Sequence, residues 1–216
     1  WEGPRHKPSF TGILQAYYGA GLGDWNVVWE KRVKAGDILL MHSGLYRVEP
    51  HNYVDPMMTP FDGSMSLTLK GTPEKPITIK SAGDGDVVID GENNSRLFDV
   101  MASAYHIFEG LTFRNTDCAI YAGQKEVSGA VGLTVKNCRF ENVGFAVWTE
   151  YAGSSDFYIA DNLIIGRDDR FRLVGWGGKP RTPDKISWKE PLYGSHRLVS
   201  YYAIKVYGPG HVIAYN

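Results

Sequence analysis

HIFEGLTFRNTDCAIYAG (residues 106–123) and LTVKNCRFENVGFAVWTE (residues 133–150) are one pattern written twice, 27 residues apart. Further copies of its first half start at Phe157 (FYIADNLIIG) and His211 (HVIAYN), and an earlier one, ITIKSAG, starts at Ile77. Each is a short alternating apolar run that reaches a small or polar pivot: Ser81, Gly110, Asn137, Asn162 and Asn216. A second run follows in the same phase, as CAIYAG from Cys118, FAVWTE from Phe145 and YAIKVYG from Tyr202. Alternation with period two predicts strands. Each unit is too small to bury its own apolar face. A sandwich also uses short strands with Gly and Asn punctuation, but its strands do not return as an ordered set at a fixed period. Chain turns lying one on the next do. The expected fold is all-β, a right-handed parallel β-helix (solenoid), with asparagine side chains stacked as a ladder at the turns.

Composition sets the outer bounds. The chain has 216 residues, 43% hydrophobic and 22% charged, with a formal net charge of −1. That is ordinary globular usage, which excludes disorder as the main state. The charge argues against a nucleic-acid partner held by bulk charge. No apolar run reaches the ~20 residues that span a bilayer, so no membrane role is expected. WEGPRHKPSF, at the start, lacks the charged head and apolar stretch of a signal peptide. Two cysteines make neither a disulfide framework nor a zinc site, and Cys118 and Cys138 read as small core residues.

Several stretches resemble a known family. GDILLMHSGLYR (36–47), GTPEKPITIKSAGDGDVVIDG (71–91) and the FEGLTFRN and KNCRFENV units are similar to right-handed parallel β-helix proteins of the pectate-lyase-like superfamily. The opening turns resemble its chondroitinase B and alginate lyase branch. The resemblance spans roughly residues 36–216 and its motifs are structural ones. It implies the fold, a polysaccharide partner and an extracellular or periplasmic location. The superfamily holds lyases, hydrolases, epimerases and non-catalytic proteins, so the activity has to be argued from the site.

The organisation follows from the period. Residues 1–35 are expected to hold an N-terminal segment and a capping helix, with Asp24 as N-cap, Trp25, Val28, Trp29 and Val33 on one face, and Gly36 closing it. Such a helix covers the open strand edges of the first turn. Residues 36–216 are the β-helix, interrupted at about 47–64 and 167–200. Asn216 falls at a pivot, which leads to the expectation that a C-terminal part or a second chain completes the helix.

Interruptions of a regular scaffold are where function concentrates. The longer one, from Arg167 to Ser200, holds eight basic and four acidic residues, so it is +4 on a body of −5. A basic loop on an acidic body suits an anionic ligand; a salt-bridged surface loop is the plainer reading. The loop ends just before the strand of Lys205. If Ile120, Val147 and Ile204 point inward, with Cys118, Phe145 and Tyr202 beside them, then Tyr121, Trp148 and Lys205 form an outward column about 4.8 Å per step. Ala119, Ala146 and Ala203 form the next column, and Gly123, Glu150 and Tyr207 the one beyond. Small residues beside aromatic ones predict a shallow trough for sugar rings. The competing reading is that outward aromatics merely cover the sheet.

The chemistry expected of a lyase on this fold is β-elimination beside a uronate carboxylate. Lys205 is the expected base, Tyr207 or His196 the acid, and Glu150 a further catalytic group. Arg170 and Arg197 neutralise the substrate carboxylate, and Tyr121 and Trp148 form the sugar platform. A glycoside hydrolase needs two carboxylates, for which Glu150 and Asp117 are the nearest pair; an epimerase on the same fold is a further reading. From another class, a non-catalytic glycan-binding or surface structural module would use the same trough. No cofactor is assigned. Asp168 and Asp169 offer oxygens to Ca²⁺ but lack a calcium-loop spacing, and pairing with Arg167 and Arg170 fits them better.

Overall fold

The computed structural model describes residues 12–18, 33–47, 53–54, 60–61, 65–94, 96–167 and 202–216. It is nearly all β, and its long-range pairing is parallel. Six strands make one sheet in the order Ile38–Met41, Ile77–Ser81, His106–Glu109, Thr134–Lys136, Tyr158–Ala160 and Val212–Ala214. Their spatial order is their chain order, and every neighbouring pair is parallel. Between visits to this sheet the chain runs through a second one. There Gly44–Arg47, Val87–Asn94, Thr112–Gln124, Arg139–Thr149 and Leu163–Gly166 also pair in parallel and in chain order. A third column is a ladder of single parallel bridges linking Lys70, Ala104, Val131 and Ser155. The only described antiparallel pairs are the short Ser128–Gly129 against Thr112–Gln124 and Tyr53–Val54 against Pro60–Phe61.

The apolar phase of each strand fills the space between the sheets. Phe98, Phe108, Phe113 and Phe140 are fully buried there. Phe113 and Phe140, paired in register, stack at 5.0 Å and 12°, with Ile89 and Ile164 continuing the row on either side. The corners repeat too. Gly110, Asn137, Asp161 and Tyr215 occupy one structural position and all have positive φ, from 53° to 69°. This corrects the pivots read from sequence, which moved to Asn162 and Asn216 in the later turns, one residue too far.

Those two asparagines instead form the expected ladder. Asn162 Nδ2 donates to Asn216 Oδ1 at 2.7 Å and to the Val135 carbonyl at 3.0 Å, while its Oδ1 accepts from Cys138 N at 2.9 Å. A second ladder runs at the next corner: Asn142 donates to Asn115, which donates to Asp90. The repeat of Arg114-Asn115 and Glu141-Asn142 carried its signal.

Two packing expectations fail. Ala119 and Ala146 are fully buried in the main core with Ile120 and Val147, whereas Cys118 and Phe145 pack outside it with Met101, Tyr121 and Trp148. Alternation therefore slips by one just before Ile120 and Val147, and two of the three small residues that defined the trough, Ala119 and Ala146, are interior while Ala203 is exposed. A register shift past Tyr121 also sets Gly123 opposite Thr149, not Glu150. Both cysteines are free and buried.

A short helix, Ile13–Tyr18, buries Ile13, Leu14 and Tyr17 against the first turns. It lies upstream of the expected capping helix, whose residues 24–32 fall outside the described ones. Most of both interruptions, 47–64 and 167–200, falls outside them as well. Among the described residues no helix is long and apolar enough to cross a membrane.

Candidate functional site

The outward column exists and is longer than the sequence suggested. Trp148 pairs with Tyr121 on one side and Lys205 on the other, while Tyr121 pairs with Asp99 and Asp99 with Ser66. Behind these five sit Met65, Phe98, Ile120, Val147 and Ile204 in the same order, the first four of them fully buried. The inner row fixes the outer one, since a slip of one residue would turn every side chain over.

Lys205 lies at the open end of the column. Its Nζ is 2.6 Å from Glu150 Oε1, with the two side chains 15% and 23% exposed. Three rings surround the ammonium: Trp148 at 5.5 Å, Tyr207 at 5.8 Å and Tyr202 at 6.0 Å from their centroids. That is cation–π range. Trp148 in turn stacks on Phe145 at 4.6 Å and 19°, and Phe145 on Tyr202. Tyr202 and Tyr207 are about half exposed, so the cluster has an apolar wall that solutes can reach. The buried Trp148 Nε1 has no hydrogen-bond partner among the described residues.

Tyr207 is held from behind. His211 Nδ1 accepts from Phe157 N at 3.1 Å, so Nε2 carries the proton and donates to the Tyr207 carbonyl at 3.0 Å. Gly208, at φ +109°, makes the turn that carries Tyr207 possible.

Toward the closed end the column is covered. Tyr121 is 3% exposed, and the Arg96 guanidinium lies 3.7 Å from its ring centroid. Burial, with neighbouring carboxylates and Cys118 adding to it and Arg96 opposing, pushes the Tyr121 hydroxyl well above the usual phenol range. Arg96 also stands 3.9 Å from Asp99, whose other oxygen caps Met101 N at 3.1 Å. Sequence reasoning missed Asp99, whose strand Phe98–Asp99 joins the column with a spacing outside the 27-residue repeat, and Arg96 just before it.

The structure thus brings together Glu150, Lys205, Tyr207, Trp148 and Tyr121 of the residues named from sequence. His196, Arg170, Arg197, Asp168 and Asp169 lie outside the described residues. Arg167 is buried: it contacts Asp117 through Nη1 and Asn93 Oδ1 through Nη2 at 2.7 Å. It anchors the base of the long loop to the scaffold, and Asp117 is engaged by it. Among the described residues no group of three or more His, Cys, Asp or Glu side chains is placed to hold a metal ion.

No protein-family model matches the chain, and no curated protein matches it. A solved structure that does is a mutant of the PL6-family alginate lyase AlyGC, with a TM-score of 0.44 and 20% identity. The match covers 63% of this chain and 18% of that one, so this chain spans less than a fifth of its length.

Proposed function

We propose that the protein is a right-handed parallel β-helix that acts on an acidic polysaccharide outside the cytoplasm, with Lys205 at the centre of its site. The fold reading is supported by two sheets and a bridge ladder, each parallel and in chain order, with corners repeating in the left-handed backbone region. The observation that carries the function is Lys205 held by Glu150 within a wall of Trp148, Tyr202 and Tyr207. Aromatic faces suit the C–H faces of sugars, and a cation among them suits a uronate carboxylate or the proton beside it.

In the lyase form of this reading, Lys205 takes the C5 proton and Tyr207, or His196 from the long loop, protonates the leaving oxygen. Arg170 and Arg197 neutralise the carboxylate as the enolate forms. Glu150, 2.6 Å away, fixes the position of the Lys205 Nζ. The same ion pair favours a second reading, a binding module in which Lys205 stays an ammonium and meets the carboxylate as a charge.

Incubation with a panel of polyuronides, followed by ultraviolet absorbance of the unsaturated product, separates the two. Product that disappears in Lys205→Ala, with folding and binding retained, is the expected lyase result. Binding without product on every substrate assigns the module. Neither binding nor product would falsify the proposal.

A further inference from the structure

The six-stranded sheet is separate from the one that carries Lys205, and its outer face has a pattern of its own. Ile38, Thr78, Ile107, Thr134, Tyr158 and Val212 pair in register across all six strands and form one column. The residues that follow four of them, Ile79, Phe108, Val135 and Ile159, are buried in the core, so the column points outward. Ile38, Tyr158 and Val212 are 42%, 41% and 50% exposed. Every member is apolar or a threonine, in a strip about 24 Å long at ~4.8 Å per strand. A contiguous uncharged strip on a surface marks an interaction site.

The next outward column carries the charge. Lys80, Glu109 and Lys136 stand in register there, followed by Ala160. Glu109 and Lys136 pair at 3.3 Å, with side chains 33% and 34% exposed. We propose that this face docks on the same face of a second copy of the chain. The dimer is twofold, and its axis runs parallel to the strands, midway between His106–Glu109 and Thr134–Lys136. Such an axis keeps each residue's position along its strand and reverses the order of the strands. Ile107 then meets the partner's Thr134, and Tyr158 the partner's Thr78. In the charged column Glu109 meets the partner's Lys136, and Lys80 the partner's Ala160. Unlike charges face each other, and the longest side chains, Tyr158 and Lys80, face threonine and alanine. The two Glu109–Lys136 pairs become one cluster in which each charge has two opposite neighbours.

Charge and coverage fix where the axis lies. On the strand His106–Glu109 it would set Glu109 against its own copy and Lys80 against the partner's Lys136. One spacing nearer Ile38 it would pair Lys80 with the partner's Glu109 but leave Tyr158 and Val212 uncovered. Only the central position covers all six rungs with unlike charges opposed. A strip this narrow is at the small end of specific interfaces, so association is expected in the micromolar range. The surface around Lys205 belongs to the other sheet and stays open in the dimer.

Sedimentation velocity of the full chain across the micromolar range should show a monomer–dimer equilibrium. Ile107→Lys places a charge in the middle of the strip, and in a twofold interface it acts twice. It should raise the dissociation constant by about tenfold or more. Glu109→Lys sets like charges against each other and should do the same. Combining Glu109→Lys with Lys136→Glu restores opposite pairs within and between chains, and should bring the dissociation constant back close to the wild-type value. All three positions face outward, and thermal unfolding of each variant shows that it is folded. A wild-type chain that stays monomeric throughout overturns the proposal. So does a dimer that persists unchanged in Ile107→Lys, since it would be made elsewhere on the molecule, or a folded charge-exchange variant that fails to associate.

Discussion

Tyr17 donates its hydroxyl proton to Nε2 of His106 across 2.8 Å, and both side chains are completely buried. The same hydroxyl accepts from the Leu69 amide at 2.9 Å, and His106 Nδ1 donates to the Ala104 carbonyl at 3.2 Å. The imidazole is neutral in this arrangement, because its Nε2 must accept. Through it the helix Ile13–Tyr18 is tied to the six-stranded sheet. Burial is the main cause that lowers the His106 pKa from 6.5 to about 4, with the bond to Ala104 opposing.

Stability should accordingly fall in acid. Between pH 6.5 and about 4 the unfolded chain binds a proton at His106 that the folded protein refuses. The contribution is complete above 6.5 and is lost as pH descends through that window, by about 3 kcal/mol in all at ~1.4 kcal/mol per pH unit. Urea unfolding across this range should show the loss in the wild-type protein and a flatter profile in His106→Gln. Parallel profiles for the two would remove His106 as the cause.

The Asn162 side chain makes a different kind of contribution, since it replaces backbone partners at a corner where two strands cannot reach each other. It serves Cys138 N, Val135 O and Asn216 together, and is 5% exposed. Asn162→Ala leaves the buried Cys138 amide without its partner, which costs about 1–3 kcal/mol. Asn162→Asp should be worse, because a carboxylate cannot donate to the Val135 carbonyl. Denaturant midpoints check both. An Asp variant as stable as the wild type would show that the donated bond contributes nothing.

These ladders mark the boundary of what the sequence disclosed. Period and phase were legible: pairing of Tyr121 with Trp148 and of Trp148 with Lys205 follows the 27-residue repeat once the long loop is set aside. Corner positions were not. Asparagine tolerates the left-handed region, so the eye assigns it there, yet Asp161 and Tyr215 adopt that conformation while Asn162 and Asn216 stack beside them. The fate of Ala119 and Ala146 was hidden for another reason. Period-two counting assumes strict alternation, and both alanines share the core with the isoleucine or valine that follows them. Arg96 was invisible because nothing in a repeat identifies which side chain folds over a neighbouring ring.

The turn that presents Tyr207 to Lys205 offers a sharp test of the site's architecture. Gly208 has φ +109°, and a Cβ added there would lie 1.8 Å from the Ser154 carbonyl oxygen, a backbone atom that no rotamer change can move. Ser154 is itself fixed: it is fully buried, and its hydroxyl bonds Thr149 Oγ1 at 2.9 Å. Gly208→Ala must therefore displace the 206–210 turn, at a cost of more than about 2 kcal/mol from strained backbone plus the clash. The movement carries Tyr207 away from Lys205, so affinity for acidic oligosaccharides should fall along with the unfolding temperature. Gly166 is the matched control, with no positive φ and nothing within 4 Å of an added Cβ. Gly166→Ala should change stability by less than about 0.5 kcal/mol and leave binding intact. If the two alanine variants unfold and bind alike, the close approach of Gly208 to Ser154 does not hold the turn in place.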